Sequence, residues 1–143
     1  MYKYNYKRKM LKQFIAYQGE QFTLEWYFDA RGKSKSFEYF QELSFEQQKK
    51  VLYLFKLIGD TGKIFNEEKF RYEGNQIFAI KPSSDRFLCF FFEGAKIIIT
   101  NAYEKKSQKM PPLEKEKALK AKLDYIERYN KGVYYASKKN ILR

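Results

Sequence analysis

Histidine is absent from the 143 residues and cysteine occurs once. That leaves no disulfide framework, no Cys/His zinc site, no Ser-His or Cys-His catalytic pair and no imidazole acid or base. Any proton transfer falls to Lys, Arg, Tyr, Glu or Asp. No apolar run approaches the ~18 residues that a membrane span needs, and Phe14-Ile15-Ala16, behind the basic start, is too short for the core of a secretory signal. The one thiol, Cys89, sits among Phe87, Leu88, Phe90, Phe91 and Phe92, where it acts as a small hydrophobe and a poor nucleophile. A reducing cytoplasm is the expected compartment, and a single domain over residues 1–143 the expected organisation.

Aromatics and positive charge are plentiful. Fourteen Phe, thirteen Tyr and one Trp can fill a core in large pieces. The net charge of +12 comes from 29 basic and 17 acidic residues, and it is segregated. Residues 1–12 carry five basic residues and no acid, residues 13–99 balance at twelve of each, and residues 100–143 hold twelve basic against five acidic. A neutral middle with cationic ends attracts polyanions, with RNA, DNA or an acidic protein as the candidates.

Phe22, Leu24, Trp26 and Phe28 alternate with Thr23, Glu25 and Tyr27, the period of a strand with one buried face. Arg31-Gly32-Lys33 reads as a turn. Ser36 can cap a short helix, and Ser44 with Gln47 forms a capping box opening a second, which carries Val51, Leu54, Phe55 and Ile58 and stops at Gly59. Residues 61–71 read as a loop. Three strands follow, over 76–81, 86–92 and 96 to about 103, joined by Pro82–Asp85 and by a Glu93-Gly94 hairpin turn. Pro111 and Pro112 open a last helix with one stripe of Leu119, Leu123 and Ile126 and a neighbouring one of Ala118, Tyr125 and Tyr129, ended by Gly132. Residues 1–20 read as a basic arm or extra helix and 131–143 as a basic tail. This order indicates an α+β domain: a mostly antiparallel four-stranded sheet with two N-terminal helices, a C-terminal helix, and the helices on one face.

Gly59-Asp60-Thr61-Gly62-Lys63 is no phosphate loop, because the spacing between its glycines is wrong and Ile64 stands where Ser or Thr is required. Glu67 and Glu68 read as solvated surface and not as a metal site. The sheet says more. A two-residue turn at Glu93-Gly94 sets Phe92 opposite Ala95 and Arg86 opposite Asn101, and the Pro82–Asp85 connection sets Lys81 opposite Arg86. Lys81, Arg86, Asn101 and Tyr103 then share one end of one face, an anion-binding arrangement that a slip of a single residue would destroy. Lys105, Lys106 and Lys109 follow beside the same sheet end. Such cations contact phosphates, and Tyr103 or Phe70 could stack on an unpaired base.

The segments Gly62–Phe70 (with Asn66-Glu67-Glu68-Lys69-Phe70), Ile77–Lys81, Arg86–Phe91 and Ile98–Pro111 (with Lys105-Lys106-Ser107-Gln108-Lys109), followed by a charged helix, resemble the RelE/HigB-like toxins of toxin-antitoxin modules, above all their phage-derived subgroup. The resemblance spans about residues 21–130. It implies a ribosome-dependent endoribonuclease, an mRNA interferase that cuts by attack of the 2′-hydroxyl without metal or cofactor. It also implies mRNA on the ribosome and a small cognate antitoxin, with a helix-turn-helix, as partners. By that match Arg86 and Lys81 hold the scissile phosphate, and one of the three lysines, with Lys109 assigned to catalysis, assists the leaving oxygen. Lys69, Phe70, Asn101, Lys105 and Lys106 are the expected RNA contacts. The Tyr or His that some members of the family carry as base has no counterpart at Met110–Leu113; Tyr103 or Glu104 could substitute, a phenol needing cationic neighbours for that role. A non-catalytic nucleic-acid-binding protein, or a gyrase-inhibiting toxin of the same fold, is the alternative reading.

Overall fold

The computed structural model describes residues 14–62 and 67–136. Strands β1 (Ile15–Gln18) and β2 (Thr23–Trp26) lead into helices α1 (Lys35–Glu42) and α2 (Phe45–Thr61). Then come β3 (Phe70–Tyr72), β4 (Phe78–Ile80), β5 (Asp85–Phe92), β6 (Lys96–Glu104) and helix α3 (Pro112–Asn130). They form one six-stranded sheet in the order β1-β2-β6-β5-β4-β3, with β2 and β6 parallel and the other pairs antiparallel.

The α+β class stands, and three features of the expected layout are corrected. The sheet is mixed and has six strands instead of four. The two unforeseen strands, β1 and β3, are edge strands of four and three residues, too short to show a period of two. The helices cover both faces. On one, Leu24 and Trp26 of β2 meet Val51, Leu54, Phe55 and Ile58 of α2, with Phe87, Cys89, Ile97 and Ile99 from the central strands. On the other, Leu88, Phe90 and Ile98 meet Ala118 and Tyr125 of α3. Alternate residues of β5 and β6 thus serve two cores, which is why both strands read as near-continuous apolar runs. Trp26 centres the first core, its ring 5.3–6.2 Å from those of Phe37, Phe40, Phe55 and Phe87.

Local rules explain most boundaries. Ser44 and Gln47 form the anticipated capping box. Helix α1 starts two residues earlier than expected: Ser34 is its cap, while Ser36 is buried and donates to the Ile99 carbonyl at 3.1 Å. Gly59 does not stop α2. The helix continues to Thr61, and Gly62, at φ 72°, provides the left-handed cap. Gly59 instead lets the β1–β2 connection approach, its carbonyl accepting from the N–H groups of Gln21 and Phe22 at 2.8 Å each. Helix α3 buries Ala118, Ala121, Tyr125 and Arg128, so the Ala118–Tyr125 stripe faces the sheet while Leu123 is 68% exposed. The two alanines bring the helix backbone close enough for the tyrosine ring to reach Phe90 and Phe92.

Residues 15–18 of the expected arm or helix are the strand β1, and the expected tail begins ordered. Tyr134 is buried and accepts from the Phe28 N–H, and Tyr135 donates to Glu25 at 2.8 Å. Residues 1–13 and 137–143 lie outside the described residues. No helix of the described residues is long and apolar enough to cross a membrane.

The Gly19–Gly59 approach is a direct test of this packing. A Cβ on Gly19 would stand 2.2 Å from the Gly59 carbonyl carbon, against backbone that cannot yield as a side chain does. Gly19→Ala is therefore expected to destabilise the protein by about 2 kcal/mol or more, read as a lower urea midpoint. A wild-type midpoint would show that β1 is not held against α2.

Candidate nucleic-acid interface

The end of the sheet at β4, β5 and β6 opens into a cleft of about 260 Å³ lined by Arg71, Glu73, Lys81, Arg86, Tyr103, Lys105, Ser107, Gln108, Lys109 and Met110. Its geometry follows from strand pairing. Ile80 pairs with Phe87, so one further step sets Lys81 beside Arg86, as the sequence indicates. Arg86 pairs with Tyr103, not with the expected Asn101. Two single-residue shifts account for the difference. The hairpin has three loop residues, Glu93-Gly94-Ala95, so Phe92 faces Lys96; and a bulge at Thr100 lets Leu88 face Asn101 after Cys89 faces Ile99. Each shift alone would invert the faces, and together they restore them. Arg86 and Tyr103 stay on the face that carries Lys81.

Arg71 pairs with Ala79, two residues from Lys81 on that face. The 105–110 segment closes the opposite wall: the Lys105 N–H donates to the Ser84 carbonyl at 2.7 Å, and the Ser107 hydroxyl to the Lys109 carbonyl at 3.1 Å. Arg86 is oriented through Nη1, which donates to the carbonyls of Ser83 (2.6 Å) and Asp85 (2.9 Å). The buried Asp85 carboxylate beneath it accepts from the Tyr39 hydroxyl and, at 3.4 Å, from Gln47 Nε2, tying the start of β5 to α1 and α2.

Five cations share this cleft with one carboxylate, Glu73. Burial, then the charges of Arg86, Arg71 and Lys105, pull the Lys81 ammonium below the ordinary lysine range, against an opposing pull from Glu73. The Tyr103 phenol moves the other way. Burial, with Glu73 and Glu114, raises it despite Arg86, so Tyr103 holds its proton at neutral pH and offers a donor where a base was considered. Glu104 is exposed and sits 3.7 Å from Lys106.

Lys81, Arg86, Tyr103, Lys105 and Lys109 are thus brought together; the other four residues assigned from sequence are not. Asn101 is buried, and its Nδ2 donates to the Glu114 carbonyl and carboxylate at 3.1 Å each, holding the first turn of α3. Phe70 stacks on Phe78 at 5.2 Å and 11°, within the fringe of the first core. Lys69 lines a different cleft, beside α2, and Lys106 is exposed beyond the lining. Arg71 and Glu73 were missed. Arg71 lies on β3 and Glu73 just after it, and the three residues of that strand are too few to show a period of two. Among the described residues no group of three or more carboxylate or thiol side chains is placed to hold a metal ion.

Structural and site roles separate by stability. Asn101→Ala removes the part-buried amide that ties β6 to Glu114 of α3 and is expected to cost about 1–3 kcal/mol, whereas Arg86→Ala relieves like-charge crowding and should change stability by under about 1 kcal/mol. Urea unfolding of both variants checks this; a larger loss for Arg86→Ala would make Arg86 a structural residue.

No curated protein matches the chain. A family model does: the one described as "Phage derived protein Gp49-like (DUF891)" matches residues 38–122, from α1 through most of α3. That match takes in more than half of the 143 residues, including every strand and loop that builds the cleft. The chain therefore belongs to the Gp49-like family of phage-derived proteins, a family of the RelE/HigB toxin type.

Proposed function

We propose that the protein is the toxin of a toxin-antitoxin pair and that its cleft cleaves mRNA on the ribosome. The observation that carries this reading is the gathering of Arg71, Lys81, Arg86, Lys105 and Lys109 around a single carboxylate, with Lys81 held below its ordinary pKa. A phosphodiester seated there relieves the repulsion among these cations. As the 2′-oxygen attacks phosphorus, charge grows on the non-bridging oxygens, and the Arg86 guanidinium, held by the Ser83 and Asp85 carbonyls, is a fixed donor for it, joined by the exposed Arg71. Lys81 in its neutral form takes the 2′-hydroxyl proton. Lys109, protonated, gives a proton to the departing 5′-oxygen. The products are a 2′,3′-cyclic phosphate and a free 5′-hydroxyl. Tyr103, which keeps its proton, donates to the phosphate or lies against a base.

The work of the cell's own antitoxin fits the charge layout. Residues 100–143 carry twelve basic and five acidic residues, and a small acidic partner with a helix-turn-helix would be steered to them electrostatically. Such a toxin acts in the cytoplasm, where its ribosomes are.

Mapping mRNA 5′ ends after induced expression, with and without translating ribosomes, tests the activity. Cuts inside codons only during translation are expected; intact mRNA alongside a DNA-damage response would contradict the reading in favour of gyrase. The role of Lys81 has its own signature. Cleavage efficiency, kcat/KM, which reports groups of the free enzyme, should rise with pH and level off below the ordinary lysine range of ~10.4, because the neutral amine is the active form. Glu73→Gln removes the influence that raises Lys81's pKa and should move that rise to lower pH. Lys81→Arg keeps the charge but cannot release its proton, so it should retain RNA binding while losing roughly 100-fold or more in cleavage rate. An undiminished rate in that variant would reduce Lys81 to a phosphate-binding cation.

A further inference from the structure

A second cationic cleft, of about 480 Å³, lies across the Pro82–Ser83 turn from the first, and Lys49, Lys50, Tyr53 and Lys69 line it together with that turn. The turn is shared by both sites. On one side Arg86 Nη1 donates to the Ser83 carbonyl at 2.6 Å, and on the other Lys69 Nζ donates to the Pro82 carbonyl at 3.5 Å. Helix α2 is amphipathic, and this outward face includes an aromatic surface that the core does not use: Tyr53 is 65% exposed. Glu46 also lines the cleft but is engaged by Lys49 at 3.4 Å. Lys50 has no ion pair among the described residues. Exposed aromatic rings set among lysines are the composition of a single-stranded nucleic-acid platform, where the ring stacks on any base and the cations track the backbone.

We propose that the RNA strand leaving the catalytic cleft crosses the Pro82–Ser83 turn and continues onto α2, where Lys50 and Lys69 contact its phosphates and Tyr53 stacks on an unpaired base. This extended track rests on the RNA-cleaving reading of the first cleft. It makes affinity depend on strand length: a short strand fills only the first cleft, and a longer one also reaches α2.

The test uses the full chain and 2′-O-methyl RNA, which cannot be cleaved, at lengths of about four and about twelve nucleotides, with fluorescence anisotropy as the readout. The longer probe should bind more tightly. Tyr53→Ala should weaken the longer probe about tenfold and leave the shorter one unchanged. Lys50→Ala should weaken the longer probe and lower its salt slope by about 0.7, the loss of one phosphate contact on a single strand, an effect that a structural role would not produce. Both side chains are exposed, and a thermal transition matching wild type establishes that each variant is folded. Arg86→Ala should weaken both probes. Wild-type affinity of the two α2 variants for the longer probe, with Arg86→Ala weakened on both, would overturn the track and leave the cleft reading standing. Unchanged binding of both probes by Arg86→Ala would overturn the cleft reading and the track with it. If the α2 variants lose affinity for an acidic antitoxin and not for RNA, the face is a protein interface and the track is overturned.

Discussion

Like charges held side by side are the constraint on which the rest of this structure depends. Arg71, Lys81 and Arg86 stand on one face of adjoining strands, with Lys105 and Lys109 on the facing wall and one carboxylate among them. Left to itself such a cluster would spread apart, since cations in neighbouring strands repel. Backbone pairing and the two cores prevent this. Asp85, buried beneath Arg86 and held by Tyr39 and Gln47, anchors the start of β5 to the helical layer, and the Lys105 N–H on the Ser84 carbonyl fixes the far wall to the β4–β5 turn.

The aromatic content gives that anchoring its stiffness. One core is organised about Trp26 and the other about Tyr125, whose ring meets those of Phe90, Phe92 and Tyr134 at 4.4–5.6 Å. Large flat rings lose few rotamers on burial and pack over wide areas, so the strands between them are fixed from both faces. Rigid donors aimed at a developing charge need no rearrangement when the charge appears, and this is the physical basis on which the proposed phosphoryl chemistry rests. Arg128 adds a separate tie, bonded to Asp124 at 2.7 Å and to the Phe28 carbonyl at 2.6 Å, which fastens the end of α3 to the segment after β2.

What could be read from the sequence was whatever repeats over several residues. The apolar runs of β5 and β6, the stripe of α2 and the Ser44–Gln47 box are of that kind, and they were enough to bring Lys81, Arg86 and Tyr103 to one sheet end. The pairing of Arg86 was two residues off, and the face survived because side chains alternate with a period of two. The hairpin's third loop residue and the bulge at Thr100 depend on how the strands twist together, which one strand's residues do not encode. Strand β3, only Phe70–Tyr72, is too short for periodicity, so Arg71 and Glu73 went unseen. Asn101 lies near the strand end where an RNA contact is expected; only the three-dimensional path of α3 shows that Glu114 claims its amide. In α3 itself Ala118, Ala121 and Tyr125 face the sheet, Leu119 and Ile126 pack at the margin of that core, and Leu123 alone of its stripe is exposed.

The electrostatics of the cleft can be measured at one atom. A carbon-13 NMR titration of the Lys81 ε-carbon, with and without bound 2′-O-methyl RNA, reports its pKa directly. The crowded cleft requires a value below the ordinary lysine range of ~10.4 in the free protein, and an upward shift when RNA phosphates enter beside it. A value in the ordinary range that RNA leaves unmoved would contradict the claim that this end of the sheet is built to receive an anion.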